Sequence, residues 1–408
     1  MNLNKLMIFY FVMVSFYCSG LNAQSEEGSL QKKENQSYSY VQSGCIPDET
    51  GNESFDKVEL YDSMQSISVS DTVPVMQNNI FPLPILFYTP ETGLAGGGMA
   101  LYLIRDLLNN SNERPSNISG DIIYTAKKQV IIELNSDIYF DTNNYRLMFN
   151  IVYKNYPDKF YGIGNNTSSG NEEGYTSKTF FVKTTLSKNI YSKMNAGALF
   201  QLESTSILNK EPGRYLIQGN ISGSAGSIIS GAGFLVNWDS RDNIFSAYSG
   251  SFCQLSSLFN SKAFGGNFNY TDITLDMRHF IELFPSQILA IQGLMKILEG
   301  NVPFQNLVSY GGQDVIRGYT LGQYRDKSGA AIQAEYRFPA FWRIGAVVFG
   351  GFGQVADNIS NLKLDEFKFA GGAGIRFLLD PKERVCLRLD FGYGQTSSGM
   401  YISAGQAF

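Results

Sequence analysis

The sequence predicts an all-β fold, a transmembrane antiparallel β-barrel of about sixteen strands with a long loop folded inward after the eleventh. Three observations predict it. Segments of strict period-two hydrophobicity recur along the chain, as strands with one apolar and one polar face require. They are spaced by roughly 20 residues, where sandwich strands recur every 8–12, so the strands are tall. Aromatics make up 14% of the chain and there are 41 glycines, against only 17% charged residues. That balance suits lipid on one side and water on the other.

Taken in order, residues 1–23 read as a secretory signal peptide: Lys5, an apolar run from Leu6 to Tyr17, then a small, polar end at Ala23. Cys18 lacks the preceding small residues that lipid attachment needs. Residues 24–79, rich in Ser, Asn, Gln and Glu, read as a flexible periplasmic leader. Asp48–Ser54 within it lacks the carboxylate spacing of a calcium loop. No later apolar run reaches the roughly 18–20 residues of a spanning helix. The best candidate, Ile288–Leu298, is short and contains Lys296.

Residues 80–408 carry the barrel. Roughly sixteen alternating segments centre near residues 85, 98, 120, 134, 149, 181, 199, 233, 253, 276, 292, 334, 349, 372, 389 and 404. Thr271–Ile281 sets Ile273, Leu275, Met277, His279 and Ile281 against Asp272, Thr274, Asp276, Arg278 and Phe280. Ala330–Phe338 sets Ile332, Ala334, Tyr336 and Phe338 against Gln333, Glu335 and Arg337. Val385–Gly394 and Phe367–Phe377 repeat the pattern, and the final strand places Met400, Ile402, Ala404 and Phe408 on one face. Even-to-odd connections, on the periplasmic side in this topology, are short at Asp141–Asn144, Leu283–Gln287 and Asp380–Arg384. Arg105–Asn117 is too long for that scheme. The odd-to-even connections, Tyr156–Gly174 among them, face the cell exterior.

The segment from Glu299 to Gly329 is long for a connection between neighbouring strands, and such loops are usually functional or disordered. It contains Gly311-Gly-Gln-Asp-Val-Ile-Arg-Gly-Tyr319, with Arg317 followed by Gly318, a residue open to unusual backbone angles, and flanked by Tyr310 and Tyr319. With these residues the chain resembles the bacterial surface antigen family, the barrel domain of BamA/TamA-type outer-membrane assembly factors. The resemblance spans about residues 80–408. It also rests on Tyr88-Thr-Pro-Glu-Thr-Gly93, Asp239-Ser-Arg-Asp-Asn243, Ala334-Glu-Tyr-Arg-Phe-Pro339 and the last two strands.

The resemblance implies that the tip Arg317-Gly318-Tyr319 folds into the lumen and that Glu335 is its acidic partner. A buried guanidinium needs such an acceptor, and a bidentate pair would latch the loop. A second lumenal acid, expected in the next strand, is replaced by Gly351, leaving Asp276 or Asp390 as substitutes. The family's periplasmic POTRA modules are longer than the 24–79 leader. The functional expectation is therefore a barrel of the outer membrane of a Gram-negative bacterium that assists outer-membrane protein or lipid biogenesis. The alternative is a structural or passive transport barrel with a plugged lumen and no insertase activity. Expected partners are outer-membrane lipids and, for the first reading, client barrel proteins or periplasmic partners.

Other classes find little support. A net charge of −5 without a basic stripe speaks against nucleic acid. Four cysteines make no disulfide framework, and Cys253 and Cys386 fall in separate strands. The single His279 has no evident serine on its face, leaving no nucleophile–base pair and no zinc site. Gly96-Gly97-Gly98 is followed by no helix and no lysine at phosphate-loop spacing. No catalytic residue, metal or cofactor is expected, and the chain reads as a non-enzyme.

Overall fold

The computed structural model describes residues 79–104, 116–141, 144–218, 220–243, 246–380 and 384–408. The expected signal peptide (1–23), the leader up to residue 78 and most of the long 105–117 connection lie outside the described residues.

Eighteen strands are present among them: β1 (Asn79–Thr89), β2 (Gly93–Ile104), β3 (Ser116–Thr125), β4 (Val130–Phe140), β5 (Tyr145–Phe160), β6 (Glu173–Tyr191), β7 (Met194–Leu208), β8 (Ser227–Asp239), β9 (Gly250–Asn260), β10 (Tyr270–Phe284), β11 (Gln287–Gly300), β12 (Val308–Tyr310), β13 (Tyr324–Asp326), β14 (Ser328–Phe341), β15 (Ile344–Ala356), β16 (Lys368–Asp380), β17 (Val385–Gly394) and β18 (Ser398–Ala404). Sixteen close into one antiparallel barrel, and β12 and β13 form a separate hairpin inside the β11–β14 connection. Each of the sixteen predicted centres falls within a barrel strand.

Alternation builds the wall as the sequence implies, with polarity inverted relative to a soluble core. On β3, Ser119, Asp121, Ile123 and Thr125 are buried inward, while Ile122 and Tyr124 are 61% and 58% exposed on the outer face. Among the described residues no helix is long and apolar enough to cross a membrane. β5 and β6 are the tallest strands, of 16 and 19 residues, and pair up to Phe160↔Glu173. Their connection is therefore only 161–172, shorter than the expected Tyr156–Gly174, because the ladder continues past Tyr156.

The ring is uneven where it closes. β1 and β2 register over eleven positions, from Asn79↔Leu103 to Thr89↔Gly93. β1 and β18 register at one, Tyr88↔Ile402. At both ends of the lumen, connections bond to one another. At the end with the longer connections, Asn165 Nδ2 donates to Glu366 O at 2.9 Å and Thr167 Oγ1 to Gln323 O at 2.5 Å. At the opposite end, the 240–249 connection reaches the β16–β17 turn, where Arg384 Nη1 meets Asp242 Oδ2 at 2.5 Å. Burial alone would raise the Asp242 carboxyl. Arg384 and the N–H groups of Ser249 and Tyr248 outweigh that and hold it below its ordinary value.

Phe408 corrects the sequence reading. β18 ends at Ala404, Gly405 turns with φ +81°, and residues 405–408 run inward. Phe408 is buried with Ala247, Phe280 and Ala290 instead of standing on the outer face with Met400 and Ile402. Its carbonyl accepts from Arg337 Nη2 at 2.9 Å.

Candidate functional site

The connection 301–327 fills the lumen beneath the longer loops. Its apolar residues make nearly half of the interior core: Phe304 packs edge-on against Phe160 and Tyr175, with centroids at 5.1 and 5.3 Å. Gly311, Gly312, Gly318 and Gly322 all take positive φ. At Gly318 the requirement is absolute. A Cβ there would sit 2.7 Å from the Tyr393 backbone. β17 makes room in return: Cβ atoms on Gly392 and Gly394 would lie 2.7 Å from Arg317 C and 2.8 Å from the Tyr319 ring. Ile316 takes φ +53°, a left-handed conformation that is strained for a β-branched residue. Its N–H is held by Gln333 Oε1 at 3.1 Å.

At the tip, the Arg317 guanidinium is enclosed. Nη2 pairs with Glu335 Oε1 and Nη1 with Asp390 Oδ2 at 2.5 Å. Its plane lies 3.5 Å from the centroid of the Phe349 ring. Glu335 also accepts from Arg337 Nε at 2.8 Å, Asp390 from Arg376 Nη1 at 2.5 Å, and Asp314 pairs with Arg388 Nη2 at 2.9 Å. Four guanidiniums thus share three carboxylates, all buried. In a low-dielectric interior such an array holds only while each guanidinium keeps a carboxylate within reach.

The expected residues take these places. Arg317 and Glu335 are in contact. Gly318 donates its N–H to Tyr401 Oη at 3.1 Å and its carbonyl accepts from Ser397 Oγ at 2.8 Å. Tyr319 Oη donates to Phe369 O at 2.8 Å and accepts from Gln395 N at 3.0 Å. Of the two candidate second acids, Asp390 reaches Arg317, while Asp276 pairs with Arg278 and Gln292. Gly351 could not carry the acid here, since its Cβ would sit 2.7 Å from Gln333 Cβ. Sequence reasoning put Arg376 and Arg388 on polar strand faces without their partners, and missed Asp314 and the tie from Leu321 N to Glu91 Oε1 at 2.9 Å in the β1–β2 turn.

His279 needs a correction. Ser251 stands opposite it on β9 in register, with Oγ 2.8 Å from Nδ1 on the outer face. Cys253 and Cys386 are free, the first exposed and the second buried. Among the described residues no group of three or more His, Cys, Asp or Glu is placed to hold a metal ion.

A profile of the Omp85 superfamily domain matches residues 117–408. No curated protein matches the chain by sequence. Among solved structures, BamA from Haemophilus ducreyi lacking POTRA domains 1–3 superposes with a TM-score of 0.60 at 15% identity, over 81% of this chain and 70% of that one. CdiB from Acinetobacter baumannii superposes with a TM-score of 0.55 at 13% identity, over 81% of this chain and 60% of that one. At such identities the likeness is one of fold.

Proposed function

The chain belongs to the Omp85 superfamily of outer-membrane β-barrels, and from that premise we propose that it assists assembly of outer-membrane proteins by parting β1 from β18. In this reading 301–327 is the latch, with Arg317, Gly318, Tyr319 and Glu335 at its tip. One observation carries the proposal: the wall is joined at a single registered position, and the loop bonds to both sides of that join. Glu91 lies on the β1 side, Tyr401 and Ser397 on the β18 side. An unpaired β1 edge offers a client strand a template for backbone pairing. Client barrels and periplasmic partners belong to this proposal, as do the signal peptide at 1–23 and the leader at 24–79 that would deliver the chain to the outer membrane.

The test locks the join. Cysteines at the registered pair Tyr88 and Ile402, in a background with the native cysteines replaced, can be oxidised to a disulfide. Liposomes carrying the reduced protein should fold an unfolded barrel client several-fold faster than empty ones. Oxidation should abolish the gain and reductant should restore it. Equal rates in all three preparations would refute the proposal. A second reading, a plugged structural or transport barrel, is favoured by the bonded connections at both ends of the lumen.

A further inference from the structure

We infer that the outer wall beside the β1–β18 join holds a binding site for a phosphorylated membrane lipid, one acyl chain lying in a side-chain-free trough. This rests on the chain being a membrane barrel and not on the join opening. The register places outward-facing Pro84, Gly98, Ile122 and Ile132 in one row across β1–β4, with Leu86, Gly96 and Tyr124 in a second and Pro82, Ala100, Gly120 and Leu134 in a third. Small residues at the centre and large ones at both flanks leave a shallow groove, open to the outside, of about 1000 Å³.

Nothing inside the barrel accounts for Gly96 or Gly120. Gly97, facing inward, is obligatory, since a Cβ there would lie 2.1 Å from Ile122 O. At Gly96 the nearest atom would be 3.9 Å away and at Gly120 3.7 Å, so either backbone has room for a side chain. Glycine in a strand weakens it and often marks close approach of another molecule. A second outward glycine pair, Gly350↔Gly371, is covered by the barrel itself, the Phe369 ring lying 3.8 and 3.6 Å from the two Cβ positions. Gly96 and Gly120 have no such ring.

The occupant follows from place and charge. An apolar groove on a lipid-facing wall meets hydrocarbon chains, and filling it recovers contacts that a void forfeits. The β3–β4 turn stands at its upper end, tied to β2 by Ala126 N→Leu94 O at 2.7 Å, and carries exposed Lys127 and Lys128. The Lys127 ammonium, donating to Pro90 O at 2.5 Å in the β1–β2 turn, and the exposed Lys128 together suit a phosphate headgroup whose acyl chain enters below it.

Native mass spectrometry of the purified full chain, loaded with dipalmitoyl phosphatidylglycerol and washed in detergent, reads the site. Wild type should retain one lipid through the wash. Gly96→Leu with Gly120→Leu should retain it about tenfold less tightly, while Thr184→Leu, outward-facing on β6, should match wild type. Lys127→Gln with Lys128→Gln should weaken retention of this lipid but not of dipalmitoylglycerol. Heat-modifiable gel migration reports the folded barrel, and Gly96→Val, a substitution strands favour, gives a milder second variant. Equal retention by wild type and the filled variants, or none by wild type, overturns the inference.

Discussion

At the residue scale, the unequal charge count around Arg317 decides which substitution hurts most. Removing Arg317 leaves three guanidiniums facing three carboxylates, whereas removing the Glu335 charge leaves four facing two. Breaking a buried ion pair by deleting one partner costs about 3–5 kcal/mol, most of it from the charge left uncompensated. Glu335→Gln should therefore approach that cost and Arg317→Ala fall well below it. Thermal unfolding midpoints in detergent check the order, and an Arg317→Ala midpoint lower than that of Glu335→Gln would contradict it. Glu335 could be read from the sequence because strand parity put it on the inner face and the family resemblance named the acid on the strand after the loop. Asp390 could be named only as an alternative to Asp276, since strand patterns do not tell which of two acids distant in the chain, here 73 positions away, the fold brings to Arg317. A signal was present all the same. Gly392 and Gly394, opposite an apolar face in β17, mark a strand surface kept bare for something to lie against. Ser251 beside His279 was hidden for a related reason, because alternation fixes faces but leaves register between strands open.

At the element scale, the barrel strands were legible because each needs only its own period-two pattern to declare itself. The segments that close the two ends were not. The inward turn of 405–408 depends on one positive φ at Gly405, and the 240–249 connection depends on a distant partner in Arg384. That second contact should respond to acid. Asp242 is held below its ordinary value, so its contribution is complete above the unfolded carboxyl range and disappears as pH falls through the folded value. Hydrogen exchange of residues 246–250, corrected for intrinsic rates, should be slow at about pH 6 and faster at about pH 3. Asp242→Asn should exchange fast at both. Protection in the variant equal to wild type at both values would show that Arg384 does not hold this segment.

At the scale of the whole molecule, two covers act in series along one lumen. Planar-bilayer recordings should find wild type almost closed. Deleting 305–325 removes only the inner loop, and Arg384→Ala releases only the opposite end, so each alone should raise conductance modestly. Together they should give a large, steady pore. Steady conduction by wild type would sink the plugged-lumen description.

The single registered position between β1 and β18 has a mechanical meaning. An evenly hydrogen-bonded ring carries hoop tension evenly, but here one joint of the ring holds by a single registered pair and is bridged internally by 301–327. Tension drawn across the cut passes through Glu91, Tyr401, Ser397 and the Arg317 array before it reaches the wall. Were the join to part as proposed, the gap could widen only as far as this splice stretches or lets go, and the circumference of the barrel would be set from within the lumen.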